Sequence, residues 1–377
     1  MRAMQSSLIL AVAAISASVM AATAASVMAA TAATAVAALP ARATPTPPAA
    51  TAAVDRLFSD KAEGETRAVV VLQNGVPVIE RYAPGYGPAN RFISWSMAKS
   101  ITSTLVGQLV GAGKLSLDAP APVPAWHRDP ADPRGKITLA QLLHMSSGLR
   151  HEEVKPVEDA DTNRALFADT SNDAAAAAEA APLAYPPNTH YQYSTLTTVI
   201  LDDIIVRTIA PAATTPTARR AAMQAYLHDH LIVPAGMASL VCEYDAGGTM
   251  LGGSFCHATA RDWAKFGQMY LDGGGVAGAE VVSPAWIKFV TTEAPTNPTY
   301  GGHFWLNHKK STEGSPALFP DQGPADLFSA IGHLGQYVMV APSKHLVVVR
   351  LGKTADGVRG DLLPTLGRLV NAFPDAK

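Results

Sequence analysis

The chain has 377 residues, a net charge of −2 and no run of basic side chains. That balance argues against nucleic acid as a partner, because phosphate binding needs a concentrated positive surface. From Val54 onward there are enough residues for a large hydrophobic core, as one domain or two closely packed lobes.

Residues 1–53 do not read as fold. Arg2 precedes an apolar stretch from Leu8 and then small residues, the layout of a secretory signal peptide. A tandem octapeptide follows, ASVMAATA at 17–24 and 25–32, and then ALPARATPTPPAATAA. Ala, Thr and Pro at this density cannot bury enough varied apolar surface to offset chain entropy, so this part is expected to be leader and linker. An uncleaved anchor helix is the alternative, but Ser and Thr interrupt the apolar run short of the ~20 residues that a span needs. The expected location is periplasmic or secreted, or tethered by that first segment, with no stable membrane span once the leader is cut.

The next signal is a hairpin, RAVVVLQNGVPVIERYA at 67–83, whose Asn74-Gly75 pair suits the positive φ of a tight turn. SMAKSITSTLVGQLVGAGKL then predicts a helix: Ile101, Leu105 and Leu109 recur on a helical period, and Gly111 and Gly113 end it. Residues 115–235 carry short helical patterns, among them ITLAQLLHMSSGL (137–149), closed by Ser-Ser-Gly, and STLTTVILDDIIVRTI (194–209). Strand signals return in ASLVCEYD and GGSFCHAT around a Gly-rich turn. Thr259 and Asp262 then form a capping-box pattern before a helix with Trp263, Phe266 and Tyr270 on one face. HLGQYVMVAP and LVVVRLGK are the last strands, and a helix near 360–372 ends the chain.

Strand-rich parts at about 54–114 and 236–376 thus bracket a helical part at about 115–235. The order predicts an α/β (α+β) fold: a mostly antiparallel sheet built from both parts, flanked by helices, with a helical subdomain inserted in sequence. A cleft between sheet and insertion is the natural place for a site.

Three stretches carry chemistry. Ser96 and Lys99 are three apart at a helix start, so their side chains rise on one face beside unpaired N–H groups. A serine hydroxyl needs an adjacent base, and a lysine shielded from water can lose its proton. Ser-x-x-Lys alone arises by chance in long chains, but here it opens an apolar helix that must be buried. Tyr191 and Tyr193 precede a second apolar helix, and either can act as base beside an ammonium. GHLGQYVMVAP supplies a glycine-bounded strand around His333 that can hold substrate backbone against the helix end. Cys242 and Cys256 are the only cysteines; in an oxidising compartment a pair this close suggests a disulfide, with two buried thiols as the alternative.

In order and context, Ser96-Met-Ala-Lys99, Tyr193-Ser-Thr195 and His333-Leu-Gly335 resemble the three motifs of the serine β-lactamase/penicillin-recognising superfamily, and most closely its class C-like branch. SWSMAKS, LLHMSSGL, HYQYS, ATARDWAKFGQMYLDGG and GHLGQY further resemble the 6-aminohexanoate-dimer hydrolase and esterase group. The resemblance runs from the first hairpin to the last strand. It implies a β-lactamase-like fold over 54–376 and a serine hydrolase that cleaves a linear amide or ester through an acyl-enzyme, without cofactor or metal. In that scheme Ser96 is the nucleophile, Lys99 shares protons, and Tyr193, with Tyr191 as its flanking aromatic, deprotonates Ser96 and later activates water. Backbone N–H groups of Ser96 and Gln336 form the oxyanion hole. His333, Gly335 and Thr195 contact substrate, and Asp173 stands where the group can place an acid near a substrate amine.

Two departures bear on substrate. β-Lactamases of this superfamily carry Lys-Thr-Gly in the third motif, where this chain has His333-Leu334-Gly335, and LGKTADG at 351–357 falls at the end of the next strand. Thr195 also replaces the Asn that grips a β-lactam side chain. Both lower the expectation of efficient β-lactam hydrolysis and leave acyl transfer intact. Carboxylesterase, weak β-lactamase or D-peptidase activity are the alternatives, and a penicillin-recognising binding or sensor module is the non-enzymatic one. His228-Asp-His230 lacks the third ligand that catalytic zinc requires, and GQLVGAGKL lacks phosphate-loop spacing.

Overall fold

The computed structural model describes residues 45–376 except 155, 157–158, 169–171, 310–317 and 356–358, so most of the expected leader lies outside the described residues. The last part of the expected linker is not linker. Helix α1 (Pro48–Ser59) starts inside it, with proline in its first turn. Ala50, Ala53, Val54 and Leu57 are buried on one stripe, a helical period that alanine-rich composition concealed.

The hairpin β1 (Glu65–Gln73) and β2 (Val76–Tyr82) follows, then β3 (Arg91–Ile93) and α2 (Ala98–Gly111). The helical stretch holds α3 (Leu139–Leu143), α4 (Asp161–Phe167), α5 (Ala174–Glu179), α6 (Thr195–Ile209) and α7 (Pro216–Leu227). Next come β4 (Val241–Cys242), β5 (Cys256–Thr259), α8 (Ala260–Leu271), the small hairpin β6 (Gly275–Val276) and β7 (Ala279–Glu280), and α9 (Pro284–Val290). Strands β8 (Trp305–Leu306), β9 (Phe328–Gly332), β10 (Gln336–Ala341) and β11 (Leu346–Lys353) precede α10 (Arg359–Asn371). Among the described residues no helix is long and apolar enough to cross a membrane.

The six-stranded antiparallel sheet runs β2-β1-β11-β10-β9-β8, joining early and late strands as the pattern predicts. Alternation divides its side chains. Val69, Val71, Met339 and Val348 pack with Leu57 of α1 and Leu366 of α10. Val70, Val338, Val340, Val347 and Val349 join Trp263, Phe266 and Tyr270 of α8 in the larger core, which continues into α2 and α6. The approach of α8 is close: a Cβ on Gly267 would meet Val347 Cγ1 at 2.6 Å.

Local differences from the expected elements have identifiable causes. Helix α3 is five residues long, because a Thr138/Gln141 capping box opens it late and Met145, at φ 55°, stops the chain soon after. The Thr259 box is half-formed: Thr259 Oγ1 accepts from Asp262 N–H, but the Asp262 carboxylate accepts instead from Ser239 N–H (2.8 Å) and Oγ (2.6 Å). Residues 333–335 form the turn between β9 and β10 and are not part of a strand.

Cys242 and Cys256 face each other across β4 and β5 and are joined as a disulfide. Strand β5 also pairs with β3, and Ser94 N–H continues that ladder to Cys256 O at 2.8 Å. Closing a loop with a sequence separation of 14 constrains the unfolded chain by about 3 kcal/mol on the chain-entropy account. The Cys242→Ser/Cys256→Ser protein is therefore expected to melt several degrees below the parent in thermal scans. Equal melting temperatures would show that the cross-link contributes nothing.

Candidate active site

Ser96 lies in a single 3₁₀ turn, Trp95–Met97, that leads into α2. Trp95 holds a left-handed φ of 46°, costly for a bulky residue and compatible with a turn held from several sides. Ser94 supplies one anchor: its Oγ donates to Ser254 O and accepts from Cys256 N–H, both at 3.2 Å. Gly332 supplies another. A Cβ there would lie 2.1 Å from Ser94 O, so only glycine lets β9 pass the Ser96 turn.

Lys99, one turn into the helix, is 1% exposed. Its Nζ donates to Gly253 O (2.7 Å) and Thr195 Oγ1 (2.9 Å) and stands 3.1 Å from Ser96 Oγ. The Tyr193 ring centroid is 4.8 Å away. Burial pushes the ammonium down to about 8, against the opposing pull of Glu153 and Asp202. Asp202, also buried, accepts from Thr102 Oγ1 (2.7 Å) and Gly252 N–H (2.9 Å), and its burial raises its own carboxyl well above the usual range. It thereby holds the Gly252-Gly253 turn that presents a carbonyl to Lys99. A Cβ on Gly253 would strike Thr195 O at 2.8 Å.

The second element is the start of α6. Ser194 caps it through Thr197 N–H (3.2 Å), which turns Tyr193 toward the cleft and Thr195 toward Lys99. Tyr191 instead packs edge-on against Tyr300, at 5.5 Å, and is not among the cleft-lining residues. Glu153, which the sequence pattern did not single out, accepts from Thr195 N–H and Thr195 Oγ1, both at 2.7 Å, and from Thr162 Oγ1 at 2.5 Å. Its only signal is position, two acids just after the Ser-Ser-Gly turn, and nothing in periodicity distinguishes the second from the first.

These groups open on a cleft of about 430 Å³ lined also by Trp95, Phe167, Trp305, Ile331, Gly332 and His333. Trp95 meets the His333 ring edge-on at 5.3 Å, and Trp305 lies 5.6 Å from Tyr193. A larger depression of about 880 Å³ between α1 and α10 brings together no comparable hydroxyl–amine pair, so chemistry and not volume selects the cleft.

Three expected site residues lie elsewhere. Gln336 sits across the ladder from Gly332 and is not among the cleft-lining residues. Its Nε2 donates to His333 O (3.1 Å) and Gly352 O (2.7 Å), bracing the turn from behind. Gly335, at φ 80°, is the turn glycine, against which Arg350 packs; the close approach to Ser94 belongs to Gly332. The register of β9 and β10 moves the third motif three residues earlier than its His-Leu-Gly spelling implies. Asp173 is exposed at the N-cap of α5, accepting from Ala176 N–H at 2.9 Å; the carboxylate in the cleft is Glu153. His228 and His230 lie in a helical turn after α7, with His228 paired to Asp229 at 2.7 Å.

A serine and a buried lysine at the head of a helix, a tyrosine from an inserted helical part and a sheet strand closing the third side define a serine hydrolase of the penicillin-recognising type. Comparison with known proteins agrees. Residues 54–372 match the Beta-lactamase family model, and the chain belongs to that family. It is 26% identical over 345 residues to a 6-aminohexanoate-dimer hydrolase from Paenarthrobacter ureafaciens, covering 81% of this chain and 79% of that one. The fold is shared with a protein from Bacillus anthracis described as a 6-aminohexanoate-dimer hydrolase: TM-score 0.66, 21% identity, 85% and 83% of the two chains. It is shared too with EstA from Arthrobacter nitroguajacolicus Rue61a, at TM-score 0.61, 17% identity and 88% and 99% coverage. The chain is a serine amide or ester hydrolase.

If a neutral Lys99 takes part in acylation, the rate constant for acylation by p-nitrophenyl acetate rises with pH through an apparent value near 8, where burial places this lysine. A rise delayed to the ordinary lysine value of 10.5 would show that Nζ is not desolvated in solution.

Proposed function

We propose that this protein hydrolyses a linear amide or ester, with short aminohexanoate-type amides as the sharpest reading and carboxylic esters as the next. One observation carries it: Lys99 Nζ, stripped of water, stands 3.1 Å from Ser96 Oγ at the floor of an open cleft. Ser96 attacks the carbonyl and gives its proton to Lys99, in place of the Tyr193 that the motif pattern implies, and Tyr193 activates water for deacylation. The oxyanion is met by the N–H groups of Ser96 and of His333, since His333 and not Gln336 borders the cleft beside Gly332.

The amide reading is supported by the relative from Paenarthrobacter ureafaciens, and the ester reading by the aromatic walls of the cleft and by the esterase-like fold neighbours. Efficient β-lactam hydrolysis is disfavoured. On β9 the residues before Gly332 are Ala330 and Ile331, neither of which offers a cation or hydroxyl to a carboxylate. The Leu8-centred leader pattern and the Cys242–Cys256 bond together support export to an oxidising compartment.

Purified protein is expected to turn over p-nitrophenyl acetate and a 6-aminohexanoate dimer and to leave nitrocefin nearly untouched. Ser96→Ala should lower both activities by about four orders of magnitude or more. Hydrolysis that survives this change sinks the assignment of the nucleophile, and rapid nitrocefin turnover sinks the demotion of β-lactams.

A further inference from the structure

We propose that Glu153 is a positioning residue that sets the hydrogen-bond polarity around Lys99, reserving the lone pair of the neutral amine for the Ser96 hydroxyl. The proposal rests on the reading of Ser96 as nucleophile and follows from counting hydrogens. Glu153 Oε1 lies 2.7 Å from Thr195 Oγ1. An ionised carboxylate only accepts, so the single Thr195 hydroxyl proton points at Glu153. Toward Lys99, 2.9 Å away on its other side, Thr195 Oγ1 can then only accept. Gly253 O, at 2.7 Å, is a carbonyl and also only accepts.

Neutral Lys99 has two N–H bonds and one lone pair. Two obligate acceptors take the two N–H bonds, and Ser96 Oγ, at 3.1 Å, is a neighbour able to donate. The lone pair therefore faces the Ser96 proton. As Oγ bonds to the substrate carbonyl carbon, that proton passes to Nζ and the carbonyl π pair moves onto its oxygen. The ammonium that results has three N–H bonds for the same three oxygens, so both protonation states are satisfied without rearrangement. Two acidic side chains act on Nζ, Glu153 first and Asp202 less, and both favour the ammonium formed in this step. Glu153 is not free to bind a substrate cation as its main task, since both its oxygens are engaged, with Oε2 accepting from Thr195 N–H and Thr162 Oγ1.

Glu153→Gln tests this because it is isosteric and reverses the polarity. The backbone N–H of Thr195 requires an acceptor, which puts the amide oxygen at the Oε2 position and the NH₂ opposite Thr195 Oγ1. Thr195 then turns its proton toward Lys99 and competes with Ser96 for the lone pair. We expect E153Q to slow acylation of Ser96 by p-nitrophenyl acetate about a hundredfold, the lower end of what base assistance supplies. KM for the ester and the melting temperature should change little.

T195V removes the competing hydroxyl. It should cost less than E153Q, and E153Q should cost much less in the T195V background than in the parent, leaving only the loss of the Glu153 charge that favours the ammonium, whereas T195S should restore the sensitivity. An E153Q loss that is equally large in the parent and in the T195V background, where no hydroxyl remains to reorient, would overturn the proposal. So would a fully active E153Q. Failure of the parent protein to form an acyl-Ser96 adduct, read by mass spectrometry, would instead overturn the serine-hydrolase reading beneath it.

Discussion

The buried Lys99 ammonium is the constraint around which the site is organised. A cation withdrawn from water is costly unless oxygens replace its hydration shell. Here the replacements come from three separate parts of the chain: Ser96 in the 3₁₀ turn that leads into the Lys99 helix, Thr195 from the inserted helical part, and Gly253 O from the turn before β5. Each must arrive within hydrogen-bond reach for the lysine to be tolerated. The demand that stabilises the fold therefore also assembles the reactive groups, and burial depresses the amine toward the range in which it can exchange a proton.

The supports extend outward from that demand. Asp202 holds the Gly252-Gly253 turn, which has room for no side chain on either glycine without striking Asp202, Thr102 or Thr195. Ser94 ties the Ser96 turn to Cys256, whose disulfide to Cys242 closes the small sheet. Gly332 lets the sheet approach the same turn from the other side. Such closely spaced backbone contacts make the left-handed Trp95 beside Ser96 tolerable, since strain persists only where surroundings over-determine it.

Much of this was legible before the fold was known, and the failures follow a pattern. The Asn74-Gly75 hairpin, the Ile101-Leu105-Leu109 stripe and the sheet joining both strand-rich parts declare themselves through turn chemistry and period. Ser96 and Tyr193 border one cleft, with Lys99 buried beside both. What misled was register. His333-Leu-Gly335 spells a motif, but hairpin geometry puts those residues in the turn and gives Gly332 the close approach, and a shift of this kind leaves no trace in composition. Asp173 misled in another way: an acid before an alanine run is as well suited to capping a helix, which is its role here. Glu153 was illegible because its meaning depends on partners at positions 162 and 195.

The arrangement also explains how this chain can lack the Lys-Thr-Gly signature and still hold acyl-transfer chemistry. The hydrogen-bond partners Ser96, Thr195 and Gly253 O come from the turn before α2, the start of α6 and the Gly252-Gly253 turn, not from β9. Strand β9 and the turn after it contribute something separable, the backbone at Gly332 and His333, with Ile331 also bordering the cleft. Backbone donors survive any side-chain replacement, whereas recognition of a substrate carboxylate requires a cation or hydroxyl at those same positions. Exchanging that side-chain set for Ala330 and Ile331 therefore removes a reader of anionic ligands and leaves the proton-transfer geometry untouched. In the proposed reading, substrate choice in this chain falls to the strand and its turn, and reactivity to the groups around Lys99.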